Sequence, residues 1–226
     1  MQIREIEGKT CRIYASDKAD YVLIHPTGKH ETEHIEEEYK LLLSETQAKF
    51  ALVSFEISNW NNELSPWKAP QAFGDEPFGN GAEDTLDFIK EKLIPEISKE
   101  LTLSENTRYI CGGYSLAGLF SLWCAYNTDI FTAVSCCSPS VWIEGWKEYT
   151  DNTEPLVKNI YLSIGSKEHR TGNPILKIVR ERIELQCRIL TAEKINTSLE
   201  INPGNHFQDN TERMVKGYLW CMDNCS

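Results

Sequence analysis

Tyr109-Ile110-Cys111-Gly112-Gly113-Tyr114-Ser115-Leu116-Ala117-Gly118-Leu119-Phe120 is the stretch from which the rest of the chain can be organised. An apolar, strand-like run ends in two glycines, a serine follows one residue later, and small and apolar residues then open a helix. This is the sequence form of a nucleophile elbow, the sharp strand-to-helix turn that lifts a serine hydroxyl above a sheet. Gly113 keeps the turn free of a Cβ, and Ala117 with Gly118 lets the helix pack close to neighbouring strands. The helix N-terminus then aims backbone N–H groups at charge developing beside Ser115. The usual pattern is G-x-S-x-G, whereas here Ala117 takes the last place and Gly118 follows it, so the turn must not need positive φ at 117. A serine that merely starts a helix after a glycine-rich loop would look similar, so partners elsewhere must decide.

Those partners follow in order. Asn159-Ile160-Tyr161-Leu162-Ser163-Ile164 runs into Gly165-Ser166-Lys167-Glu168, and Thr197-Ser198-Leu199-Glu200-Ile201 runs into Asn202-Pro203-Gly204-Asn205-His206. Each places an ionisable side chain just past the carboxyl end of a strand, where open α/β sheets build their sites. Ser115, Glu168 and His206 thus match the nucleophile–acid–histidine order of an α/β-hydrolase. A serine hydroxyl needs an imidazole to take its proton, so His206 is the candidate general base and acid. Glu168 would orient the imidazole and stabilise its cation. Asp129, after the elbow helix, is the substitute acid, and an ordinary solvated loop carboxylate is the plain alternative for Glu168. The oxyanion donors expected are the backbone N–H of Leu116 and one from the loop after Phe50-Ala51-Leu52-Val53-Ser54-Phe55, near Ile57.

Strand-like runs fall near 11–15, 20–25, 50–57, 107–112, 132–137, 159–164 and 197–201, and helical periodicity near 31–45, 82–100, 115–126, 174–190 and 207–222. Such alternation predicts one α/β domain over 1–226, with a mostly parallel central sheet, helices on both faces and no large separate cap domain. Pro95 should bend or interrupt the second helix, and Asn173-Pro174 should cap the fourth. Between Ser58 and Gly81 lies a long irregular stretch of the kind that usually serves function. Its Trp60 and Trp67, with Trp142 after the fifth strand-like run, are candidates for the substrate pocket, ordinary hydrophobic packing being the competing reading of each.

His30-Glu31-Thr32-Glu33-His34 fits H-E-x-x-H, which on a helix would offer two zinc ligands and a general base. It straddles a loop and a helix start, however, and the helix's buried stripe should run through Ile35, Tyr39, Leu42 and Leu43, with Glu36, Glu37 and Glu38 solvated. No metal site is therefore expected. The net charge of −11 argues against nucleic acid or an anionic membrane as partner. No apolar run of membrane-spanning length and no signal-peptide core is evident, so a cytoplasmic protein is expected, with its 8 cysteines as buried free thiols.

Gly113-Tyr114-Ser115-Leu116-Ala117-Gly118, Ser163-Ile164-Gly165-Ser166-Lys167-Glu168 and Asn202-Pro203-Gly204-Asn205-His206-Phe207 together resemble the esterase family that groups esterase D, feruloyl esterases and enterobactin or siderophore esterases within the α/β-hydrolase superfamily. The resemblance covers nearly the whole chain. Asn59-Trp60-Asn61, Leu64-Ser65-Pro66-Trp67 and Phe73-Gly74-Asp75 resemble a bacterial subgroup known only as hydrolases. The resemblance implies hydrolysis of a small-molecule carboxylic ester through an acyl-enzyme, without a cofactor; Ala117 is the departure from its pattern. A catalytically silent α/β-hydrolase fold used for binding is the alternative from another class. Acyl transfer and peptide hydrolysis are the alternatives among enzymes. Oligomeric state is not legible.

Overall fold

The described residues form eight strands and eight α-helices. The strands are β1 (Gln2–Ile6), β2 (Lys9–Ala15), β3 (Ala19–Thr27), β4 (Phe50–Glu56), β5 (Leu103–Tyr114), β6 (Phe131–Cys137), β7 (Asn159–Gly165) and β8 (Asn196–Asn202). The helices are α1 (Thr32–Glu45), α2 (Trp60–Glu63), α3 (Ala82–Phe88), α4 (Ile94–Glu100), α5 (Leu116–Asn127), α6 (Trp146–Asp151), α7 (Val179–Ala192) and α8 (Asn210–Asn224). The structure, a computed structural model, describes residues 1–29, 32–72 and 74–225.

All strands join one sheet in the order β1-β2-β4-β3-β5-β6-β7-β8. From β4 across to β8 every pairing is parallel, while β2 runs antiparallel to both β1 and β4. Parallel strands covered on both faces read as continuous apolar runs, and alternate residues then serve opposite cores. Val22, Ile24, Val53, Cys111, Val134 and Leu162 face the core shared with Leu119, Leu122, Ile183 and Leu190 of α5 and α7. Their neighbours Leu23, Leu52, Ile110, Ala133 and Tyr161 face Ile35 and Leu42 of α1 and Met214 and Tyr218 of α8. Each fully buried aliphatic side chain contributes about 1.5–3 kcal/mol relative to exposure. Residues Leu116 to Tyr126 of α5 are buried on every side, as suits a helix that is apolar all round.

Several expectations change. β1 carries no strand-like pattern in the sequence, because Gln2-Ile3-Arg4-Glu5-Ile6 is an edge strand with four of its five residues exposed. The helix carrying Pro95 is interrupted, as expected, by a π-helical stretch, Ile89–Leu93, and resumes with Pro95 in the first turn of α4. Asn173 does not cap the fourth long helix: its Oδ1 accepts from the Ile175 N–H at 2.9 Å in a turn that leads into a 3-10 stretch, Leu176–Ile178, and α7 itself starts at Val179 with Ile178 as its N-cap. On α1 the buried stripe keeps Ile35 and Leu42, but Leu43 is exposed. Glu38, expected in solvent, is instead buried with its Oε1 3.3 Å from His25 Nδ1.

His30 and Glu31 lie outside the described residues, and His34 is exposed. Among the described residues no group of three or more His, Cys, Asp or Glu could hold a metal ion, and no helix is long and apolar enough to cross a membrane. All eight cysteines are free; seven are buried and Cys187 is half-buried. Burial pushes the Cys11 and Cys137 thiols up to about 12.

Candidate active site

The elbow forms where β5 meets α5. Ser115 sits between them at φ 59°, ψ −117°, outside the regions an L-residue adopts comfortably. The turn is held open for it. A Cβ on Gly113 would lie 2.5 Å from the backbone of Ala117, and one on Gly118 would lie 2.8 Å from the Cys137 carbonyl. The absent side chain of Gly113 thus makes room for the methyl of Ala117, which lies within α5 and needs no positive φ. Donation from the Ser115 N–H to Cys137 O at 2.9 Å and from the Ser140 N–H to Ser115 O at 3.2 Å fixes the elbow against the end of β6.

His206 arrives on the loop between β8 and α8, and Glu168 on the turn after β7. The His206 Nε2 lies 3.0 Å from Ser115 Oγ, and its Nδ1 lies 2.8 Å from Glu168 Oε2. The structure therefore brings together the three side chains expected from the sequence. Glu168 is buried, and its second oxygen is fully engaged: Oε1 accepts from the Gly165 N–H at 2.6 Å, the Ser138 hydroxyl at 2.7 Å and Arg213 Nη1 at 3.1 Å. Burial by itself would raise this carboxyl. The hydrogen bond and charge of His206, with the bonds from Ser138 and Gly165, outweigh burial and hold it below the usual carboxylate range. Asp129 is exposed just before β6 begins, at the opposite end of the sheet from the strand carboxyl ends that carry the other groups.

Around this line stand residues that the sequence did not single out. The Tyr114 hydroxyl donates to the His206 carbonyl at 3.0 Å and lies 3.1 Å from Ser138 Oγ; burial pushes its phenol up, so it stays protonated. Phe207 meets the His206 ring edge-on at 5.3 Å and is 85% exposed. Arg213, fully buried on the first turn of α8, was legible only as an arginine at helical spacing with the buried Gly217 and Cys221.

The two oxyanion expectations fare differently. Leu116 opens α5, so its N–H is among the first-turn donors that no intrahelical carbonyl can accept. Ile57 does not fit: it is buried, and its N–H already donates to Thr27 O at 2.8 Å. The strand order supplies the reason. β4, which leads to Ile57, is separated by β3 from β5, the strand that ends in the elbow, so it is the connection after β3 that lies next to the elbow.

The stretch from 58 to 81 is more ordered than its composition suggests. Glu63 of α2 accepts from the N–H groups of Ser58 and Asn59 and pairs with Lys9, and a short bridge joins Ala69 to Phe78. A cleft of about 700 Å³ lies along it, lined by residues including Asn59, Asn62, Lys68, Glu76 and Phe78. Trp60 is half-buried against the core. Trp67 stacks on Trp146 at 6.1 Å and donates its indole N–H to Glu144 O at 2.7 Å, so it ties this stretch to α6. Trp142 lies two residues beyond Ser140, which contacts the elbow, and its ring is 5.9 Å from Phe78.

Solved structures share this arrangement of elements. The IroE-like serine hydrolase from Shewanella oneidensis is 16% identical, with a TM-score of 0.76 over 98% of this chain and 79% of that one. The siderophore hydrolase EstA from Aspergillus nidulans is 16% identical, with a TM-score of 0.73 over 95% and 90%. The BES protein from Bacillus cereus is 20% identical, with a TM-score of 0.69 over 95% and 90%. At such identities the likeness is one of fold. No curated protein matches the sequence. The family model Putative esterase matches residues 21–200, from β3 into β8 and across both Ser115 and Glu168, and the chain accordingly belongs to that family of carboxylic ester hydrolases on the α/β-hydrolase fold.

Proposed function

We propose that the chain is a serine esterase that cleaves small-molecule carboxylic esters through an acyl-enzyme on Ser115. The observation that carries this reading is the unbroken line Ser115 Oγ–His206 Nε2–Nδ1–Glu168 Oε2, at 3.0 Å and 2.8 Å, built from three separate strand ends. His206 takes the serine proton as Oγ attacks the ester carbonyl, then returns it to the departing alkoxide. Water, deprotonated by the same imidazole, attacks the acyl carbonyl and releases the acid and free Ser115. Glu168 stays ionised throughout. It fixes the tautomer with the proton on Nδ1 and stabilises the imidazolium that forms transiently. The oxyanion is received by the Leu116 N–H and by a backbone donor of the loop following β3, the position such folds use. Because the pocket lies in loops, ester preference belongs to the 58–81 stretch, Trp142 and Phe207, whose aromatic character suits an aryl or otherwise apolar acyl or alcohol group of the kind a siderophore ester carries.

The test is covalent labelling. A fluorophosphonate should add once per chain by intact mass, and Ser115→Ala should remove both that adduct and hydrolysis of p-nitrophenyl esters. An adduct that persists in the variant would sink the reading.

A further inference from the structure

We propose that Arg213 is a positioning residue of this site, one that locks the acid and histidine loops to each other and shares the Glu168 carboxylate with His206. The inference rests on the Ser115–His206–Glu168 reading and extends it to a group that touches neither substrate nor nucleophile.

Arg213 is 1% exposed, on a helix whose neighbouring positions Met214, Val215, Tyr218 and Cys221 are apolar and buried. A guanidinium in such a place costs free energy unless its donors are met; its buried Nε has no partner, so the bonds of Nη1 and Nη2 carry the compensation. Nη1 donates to Glu168 Oε1 at 3.1 Å and to the Tyr114 hydroxyl at 2.8 Å. Nη2 donates to the carbonyls of Pro203 at 2.9 Å and Asn205 at 3.0 Å, the residues on either side of Gly204 in the loop that delivers His206. One planar fork therefore grips the acid, the residue preceding the nucleophile and the histidine loop. Tyr114 closes the circuit through its bond to the His206 carbonyl. A lysine can supply the charge but not four directions at once.

The charge has its own consequence. Arg213 and His206 hold opposite oxygens of the same carboxylate, so the guanidinium draws negative potential away from the imidazole. The other groups facing the pair are neutral donors: Ser138 at the end of β6, the Gly165 N–H at the end of β7, and Tyr114 at the end of β5. Cys137, whose Sγ donates to the Arg213 carbonyl at 3.3 Å, stays a thiol. Lys167 is exposed and His169 half-buried on the acid's own turn. Arg213 is thus the buried cation against Glu168. Without it, Glu168 acts undiminished on the imidazolium and is itself easier to protonate. Both effects move the acidic limb of activity to higher pH.

The experiment compares kcat/KM against pH for wild type, Arg213→Gln and Arg213→Lys, with the active fraction of each counted by fluorophosphonate labelling. Loss of labelling in Ser115→Ala, established first, keeps failure of the underlying reading separate. For Arg213→Gln the acidic limb should rise by about 0.5–1 pH unit, with kcat per labelled site falling about tenfold. For Arg213→Lys the limb should stay within about 0.2 unit of wild type while kcat still falls, because charge survives and the carbonyl grip does not. An unmoved or lowered limb in Arg213→Gln overturns the proposal, since a purely structural role changes only the labelled fraction. If Arg213→Gln does not fold, Arg213→Lys decides: kcat per labelled site equal to wild type, or a displaced limb, overturns it.

Discussion

Two histidine–glutamate pairs lie on the same sheet. In one, His206 and Glu168 stand on loops beyond β8 and β7, 2.8 Å apart, and the far imidazole nitrogen meets Ser115 Oγ. In the other, His25 of β3 and Glu38 of α1 stand 3.3 Å apart inside the molecule, with the His25 ring edge-on to Tyr218 at 6.2 Å. The imidazole of the first is 31% exposed, that of the second 8%. An imidazole against a buried carboxylate is therefore not in itself a catalytic unit. What separates the pairs is position along the strand: past the carboxyl end there is room for a nucleophile and a substrate, whereas within the strand the pair can only pack.

That contrast can be broken at either pair. Ser115→Ala should lower ester-hydrolysis kcat by at least about 10³-fold with an unchanged melting profile, since only binding and the oxyanion donors remain; wild-type-like turnover would erase the difference between the pairs. Glu168→Gln should cost on the order of 10²–10⁴ in kcat, by analogy with the aspartate-to-asparagine change in serine proteases, while Asp129→Asn changes little. The reverse ranking on one activated ester would move the acid to the earlier loop. Glu168 also carries a pH signature. Its folded carboxyl is held low, so its charge contributes stability above the ordinary unfolded value of about 4.3, and that contribution is lost as pH falls through the lower folded value. Denaturant melts of wild type and Glu168→Gln should accordingly converge in acid. At the other pair the expected effect is smaller and of a different kind. Glu38→Gln should lower stability by about 1–3 kcal/mol and leave kcat per labelled site within about twofold. A large kcat loss there would make the buried pair part of the chemistry.

The same contrast marks where sequence could be read. Ser115, Glu168 and His206 each follow an apolar run that ends in a turn, so chain order alone suggested their meeting. Glu38 was misread because Glu36-Glu37-Glu38 looks uniformly polar, although position 38 falls at helical spacing with the buried Ile35 and Leu42. The oxyanion loop was misplaced for a different reason. A backbone donor leaves no side-chain trace, and an edge strand as polar as β1 goes unread, which makes the strand at 50–56 third in the chain when it is fourth. Strand order, which no local pattern encodes, then separates Ile57 from the elbow. Arg213 leaves no sequence signal of its burial, because arginine is mostly a surface residue and its partners lie in distant loops.

The backbone at Ser115 sets a final condition on this molecule. A non-glycine residue at φ 59°, ψ −117° is strained by about 1–3 kcal/mol, held there by the packing of Gly113 and Gly118 against their neighbours. Glycine at that position relieves the strain and removes the proposed nucleophile in the same step. Ser115→Gly should therefore melt at a higher temperature than the wild type while losing its turnover. In this chain the most durable sequence and the working sequence are different molecules, and drift toward robustness at residue 115 leads directly to an inert protein.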